Sequence, residues 1–200
     1  MILFQPEHVQ PILEDIKVKT RRLGKKRWNV NTVHKAKTVM LSKDYFTLLR
    51  ILTLHQELLG AMNERDAIDE GGYTLEGYKE EWERINGKNS WEAGLLVWVV
   101  QFERVFNLEE ICNKCWGKVG CDSKTCCVRQ LFESREYITP KEIAEFCCRQ
   151  RCHHSMKYHE TLCPVKLAGV NTKYLRELTK SQEIETDSKG YAIKRLNEYV

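Results

Sequence analysis

The chain predicts an α+β fold: a small half-open β-barrel with flanking helices, then a cysteine-rich, mainly helical part ending in a β-hairpin. Three observations predict it. Strand-length apolar runs open and close the first half, at MILF and LLVWVVQFERVF. Two short capped helices lie between them. All nine cysteines fall between Cys112 and Cys163, past a shift in composition.

The elements follow in order. Met1 to Phe4 is a short apolar strand. Pro6 suits a helix first turn, and Val9, Ile12 and Leu13 give helical spacing; Pro11 sits awkwardly there, so the helix is expected to restart at it. Ile16 to Leu23 reads as extended, and Gly24-Lys25-Lys26 as a basic turn. Val30 to Leu41 gives one or two strands, and Tyr45 to Leu54 a strand in preference to a buried helix. Asn63 caps a helix over Glu64–Asp69 that ends at Gly71-Gly72. Thr74 caps the next, with Leu75, Tyr78, Trp82 and Ile85 on one face and Asn86-Gly87 closing it. Leu95 to Phe106 is the strongest strand.

The stretch IKVKTRRL, Ile16 to Leu23, sets Lys17, Lys19, Arg21 and Arg22 around one hydroxyl, Thr20. Four cations in six residues need an anion, a phosphate or a carboxylate elsewhere in the fold. Strand parity puts Lys17 and Thr20 on opposite faces unless the helix-to-strand junction bends. It also sends Arg21 to the face opposite Arg22, toward solvent. Lys25, Lys26, Arg27 and Trp28 follow, a basic run beside an aromatic, which suits phosphate tracking and base stacking; the alternative is a solvated turn with a core Trp.

Overall charge agrees with a polyanion partner. The formal net charge is only +4, but residues 1–38 carry nine Lys/Arg against three Asp/Glu, a local +6. No run approaches the roughly 18 apolar residues of a membrane span, so no membrane partner is expected. The N-terminus is too short and too acidic for a signal peptide, and a cytoplasmic location is expected by default.

Three blocks, MILFQPEHVQPILEDIKVKTRR, DAIDEGGYTLEGYKEEWERING and VWVVQFE, resemble an ASCH domain, the PUA-related barrel, in order and spacing. The resemblance covers residues 1–106. It implies binding of RNA, single-stranded nucleic acid or a modified nucleoside in a cleft beside the barrel. Lys17, Arg22, Lys25, Lys26, Arg27 and Trp28 are the candidate nucleic-acid contacts. Some small members are amidohydrolases acting on N4-acetylcytidine, and others are described as ribonucleases. The amidohydrolase resemblance implies Lys17, Thr20 and Glu70 as catalytic candidates. A Thr hydroxyl needs a base, which a Lys of lowered pKa can supply. The alternative for these residues is a Lys17–Glu70 salt bridge beside a strand threonine.

Residues 107–200 are expected to form a second, metal-binding domain with a weak winged-helix pattern. Residues 107–131 show little periodicity; a short amphipathic helix is read at Val128 to Ser134. Thr139-Pro140 and Asn171-Thr172 begin two further helices. A DSKG turn joins the strands of a closing hairpin. Cys112-x2-Cys115 has knuckle spacing, and Cys148 and Cys152 lie one helical turn apart. These four are the candidate ligands of a structural zinc; an iron–sulfur cluster or a core role for some of the thiols is the alternative.

Overall fold

The structure, a computed structural model, describes residues 1–114, 132–133 and 135–143. The chain divides into two units, Met1–Arg104 and Val105–Val200. In the first, β1 (Ile2–Leu3), β2 (Lys19–Arg22), β3 (Val33–Lys37), β4 (Thr47–Leu58) and β5 (Leu96–Val105) form one sheet in the order β1-β3-β4-β5-β2. β1 runs parallel to β3, β3 antiparallel to β4, and β2 antiparallel to β5 with Arg22 opposite Trp98. The sheet curls into a half-barrel, and β1 and β2 are its two edges. Arg22 Nη2 joins those edges by donating to Leu3 O at 2.6 Å.

Alternating side chains place the core inside this curl. Ile2, Phe4, Ile12, Leu49, Ile51 and Phe102 pack there, with Phe4 edge-on to Phe102 at 5.8 Å between ring centroids. A second cluster, including Leu59, Met62, Tyr78, Trp82 and Val97, forms between helix and sheet.

The helices begin where their caps dictate. α2 (Glu64–Asp69) starts from Asn63, whose Oδ1 accepts from Asp66 N–H at 3.1 Å while Asp66 Oδ2 accepts in return from Asn63 N–H. α3 (Leu75–Asn86) starts from Thr74, which accepts from Gly77 N–H, and ends at Gly87 with φ +105°.

The N-terminal helix differs from expectation. A 3-10 turn, Pro6–His8, leads straight into α1 (Val9–Leu13), which runs through Pro11 rather than restarting there. Pro11 lies in the first turn, where an N–H has no intrahelical acceptor to lose. β4 also extends to Leu58, four residues beyond the expected end.

In the second unit, α4 (Leu108–Lys114) occupies sequence expected to be irregular, and Cys112 lies within it. Asn107 caps it: its Oδ1 accepts from Glu110 N–H at 2.8 Å, and Glu110 Oε2 accepts from Asn107 N–H at 3.1 Å. Phe106 pairs with Ile138 in an isolated antiparallel bridge. Thr139 caps a helical start at Pro140 and exchanges bonds with Glu142, as the sequence suggests. Phe132 and Glu133 lie in a turn; the rest of the expected 128–134 helix, the 171–200 elements, Cys115, Cys148 and Cys152 lie outside the described residues.

Candidate functional site

The chain bends sharply between α1 and β2, and the bend builds the site. Asp15 takes a left-handed conformation, φ 56°, and Ile16 and Lys17 both donate their N–H groups to Pro11 O. Arg104 fixes the bend by a bidentate pair with Asp15, at 2.7 and 2.8 Å. Lys17 therefore precedes β2 and escapes strand parity. On the other side, α2 delivers Glu70 at its C-cap, and Gly71 and Gly72 turn the chain away with φ +140° and +83°.

Lys17, Thr20, Arg22 and Glu70 line one cavity of about 250 Å³ between the edge strands and α3, and Arg21 lines it with them. Lys17 and Glu70 are 2 % and 1 % exposed. Lys17 Nζ donates to Glu70 Oε2 at 2.7 Å and also to Glu70 O. Thr20 is buried at the same wall.

Arg21 is where the parity argument fails. It is buried, with 4 % exposure. α2 and the end of β4 cover the face assigned to solvent and supply its carboxylates. Arg21 Nη1 donates to Glu70 Oε1 at 3.0 Å, and Nε to Glu57 Oε1 at 2.8 Å. Nη2 lies 2.6 Å from Glu57 Oε1, close enough for an ion pair but without hydrogen-bond alignment. Lys19 pairs with Asp66 and Asp69 beside it, at 2.9 and 3.1 Å.

These neighbours push the two partners of the central pair in the same direction for opposite reasons. Burial lowers the Lys17 pKa, and Glu70 only partly restores it. Burial alone would raise the Glu70 pKa, but the charges of Lys17 and Arg21 outweigh it and hold the carboxyl below its ordinary range. Glu70 has two cations in contact; Lys17 has one carboxylate in contact, a weaker influence from Glu81, and a cationic neighbour, Arg22.

Arg22 sits with its guanidinium 5.3 Å from the Phe4 ring centroid, and its Nε is buried without a hydrogen-bond partner. Burial lowers its pKa, with Glu70 opposing.

The basic run divides. Lys25, Lys26 and Arg27 are exposed and do not line the cavity. Trp28, a candidate stacking platform, is instead a core residue at 8 % exposure, packed with the sheet interior, and its indole N–H donates to Met1 O at 3.2 Å. A short turn and the adjacent β1 draw it inward, and its ring has no open face for a base.

Sequence reasoning missed His8 and Glu81 at the cavity, sent Arg21 to solvent, and took Tyr78 and Trp82 for core alone. The signal was present in α3, where Glu81 interrupts the apolar stripe of Tyr78, Trp82 and Ile85. His8 is buried, and its pKa is lowered to about 4 by burial and by the Lys17 charge. It is thus neutral near pH 7, with Nε2 3.3 Å from Tyr73 OH and 3.1 Å from Glu81 Oε1.

Fold and site together define a curled five-stranded α+β domain with a polar cavity at the seam between its edge strands. No family model matches the chain, and no curated protein matches it. Among solved structures, the chain is similar to the crystal structure of an ASCH domain from Lactobacillus crispatus JV V101, at 14 % identity and a TM-score of 0.40. That similarity covers 48 % of this chain and 69 % of the other. Among the described residues, no helix is long and apolar enough to cross a membrane. Nor is any group of three or more His, Cys, Asp or Glu among them placed to hold a metal.

Proposed function

We propose that the cavity of the first unit binds one nucleobase or nucleoside, modified or plain, free or within single-stranded RNA. The observation that carries this reading is the built interior of the cavity. A buried Lys17–Glu70–Arg21 network forms its floor, and the Arg22 Nε–H is left without a partner. At about 250 Å³ it is just below the roughly 300–1,000 Å³ of drug-sized ligand sites, which suits one base rather than a strand. Exposed Lys25, Lys26 and Arg27 follow β2 directly and would meet phosphates outside. Titration with cytidine, N4-acetylcytidine and a short single-stranded RNA tests it. Nucleoside binding should resist salt, RNA binding should weaken with it, and Lys17→Met should lose about tenfold or more in both. No binding of any of the three at millimolar concentration would end this reading.

A second reading is an amidohydrolase of N4-acylated cytidine, and one observation favours it. Burial makes Lys17 easier to deprotonate than an ordinary lysine, at the same cavity wall as Thr20. A neutral Lys17 would take the Thr20 proton as the hydroxyl attacks the acyl carbon. The C–N bond then breaks, the leaving nitrogen takes a proton, and water releases acetate from the threonine ester. Acetate release that disappears in Thr20→Val, with nucleoside binding kept, would establish the enzyme. Binding without turnover would leave the domain a reader.

For residues 107–200 we propose a metal-stabilised nucleic-acid-binding unit, with Cys112, Cys115, Cys148 and Cys152 on one zinc or, alternatively, an iron–sulfur cluster. Its support is the cysteine density and spacing in the sequence. Metal binding can contribute on the order of 10 kcal/mol to folding a small domain. One equivalent of metal per chain, and loss of helical signal on chelation, are expected. Metal-free protein with an unchanged melting curve would remove the site.

A further inference from the structure

Glu70 is the carboxylate at the cavity floor, and the protein itself already engages both of its oxygens. Oε2 accepts from Lys17 Nζ at 2.7 Å, and Oε1 accepts from Arg21 Nη1 at 3.0 Å. The second carboxylate on the wall, Glu81, is engaged as well. Its Oε1 accepts from Arg84 Nη2 at 2.9 Å and lies 3.1 Å from His8 Nε2; its Oε2 accepts from Arg84 Nε at 2.7 Å.

The donors are not used up. An ammonium has three N–H groups, and Lys17 directs two of them to Glu70 Oε2 and Glu70 O. Arg22 gives Nη2 to Leu3 O, while its Nε is buried without an acceptor. A buried N–H left unmatched is costly, so such a group is a demand for an acceptor from outside. Arg21 decides the balance. Without its Nη1, Glu70 would lose a cationic donor and would accept more readily from a ligand.

We infer that Arg21, by occupying Glu70, makes the cavity a donor-lined site whose ligand offers acceptor oxygens to Lys17 and Arg22: the carbonyl oxygens of a base edge, or an oxyanion. The carbonyl form rests on the nucleobase reading above; the donor arrangement stands without it. Arg21 also lines the cavity, but the role inferred for it is that of a positioning residue, exerted through Glu70. Bases whose edge is rich in amino donors fit this arrangement less well, because both oxygens of each wall carboxylate already face protein donors that offset the carboxylate's charge.

Two pyrimidines of similar shape and opposite edges test this: uracil, edged by two carbonyls, and neutral 2,4-diaminopyrimidine, edged by two amines. Calorimetric titration of the full chain should give at least about tenfold tighter binding of uracil. Arg21→Met should narrow that ratio by weakening uracil and strengthening the diamine. Should that variant not fold, Arg21→Lys serves, because a point charge cannot hold Glu57 and Glu70 together as the planar fork does. Equal or tighter binding of the diamine by the unaltered chain would overturn the inference, as would a ratio that Arg21 variants leave unchanged in folded protein. If neither pyrimidine binds, the nucleobase reading fails, and acetate then decides on the donor site alone. Saturable shifts of the Arg22 Nε–H resonance with acetate would uphold it, and their absence would overturn it.

Discussion

Glu70→Ala is expected to cost the first unit on the order of 3–5 kcal/mol, a large part of the roughly 5–15 kcal/mol that holds a domain together. The substitution removes the carboxylate shared by Lys17 and Arg21, which are 2 % and 4 % exposed. Arg21 keeps Glu57 at 2.8 Å, but the described side-chain bond of Lys17 is to Glu70 alone. A cation buried without its counter-charge is the main loss. Urea unfolding followed by circular dichroism measures it. Glu70→Gln, which keeps the shape and an acceptor oxygen, should cost less. Pairing Glu70→Gln with Lys17→Met should recover much of the loss, because it removes the stranded charge along with its partner. A Glu70→Ala protein as stable as the parent would mean that water reaches Lys17 freely.

The same pair sets an acid limit on stability. The folded Glu70 carboxyl lies below its ordinary value of 4.5, so its contribution is fully present above that pH and is lost as pH falls through the depressed folded value. Lys17 works in the other direction on the pH scale. Its folded pKa lies below the ordinary 10.5, so the cost of burying its charge is fully present at low pH and is relieved as pH rises through the folded value toward 10.5.

Caps and turns were legible in the sequence because their chemistry is local. Asn63 with Asp66, and Thr74 ahead of Leu75, mark helix starts that the structure keeps to the residue. Asn107 with Glu110 is the same signature, and it gives α4 inside the cysteine-rich stretch, where composition distracted from it. The cavity was half legible. The cation-rich stretch after α1 indicated a site, and Glu70 closed it. What covers a strand face is a tertiary fact, however. Parity sent Arg21 to solvent, whereas it is buried and shares the cavity lining with Arg22; no local rule says that Glu57 and Asp66 arrive beside it from 36 and 45 residues away in sequence. His8 and Glu81 were hidden for the same reason, since their partners come from α3 and the N-terminal turn.

Trp28→Ala should show which of its two roles is real, and it is expected to destabilise the first unit by about 3–5 kcal/mol. The indole belongs to the core, where its neighbours include Ile2, Phe4 and Ile51, and its N–H holds Met1 O at 3.2 Å. Truncation would leave a cavity beneath β1 and an unmatched carbonyl near the sheet edge. Because β1 is only two residues long, it has few other contacts to keep it paired with β3. Arg22 donates to Leu3 O on that strand, so the seam beside the ligand cavity should loosen as well. Thermal melting and amide exchange of Ala36 and Lys37, the residues opposite β1, would register both effects. A stacking residue behaves differently. Its loss would leave the melting point alone and weaken single-stranded RNA by about 1–3 kcal/mol per base. A Trp28→Ala chain of unchanged stability with that loss of RNA affinity would return Trp28 to the surface and to the basic run beside it.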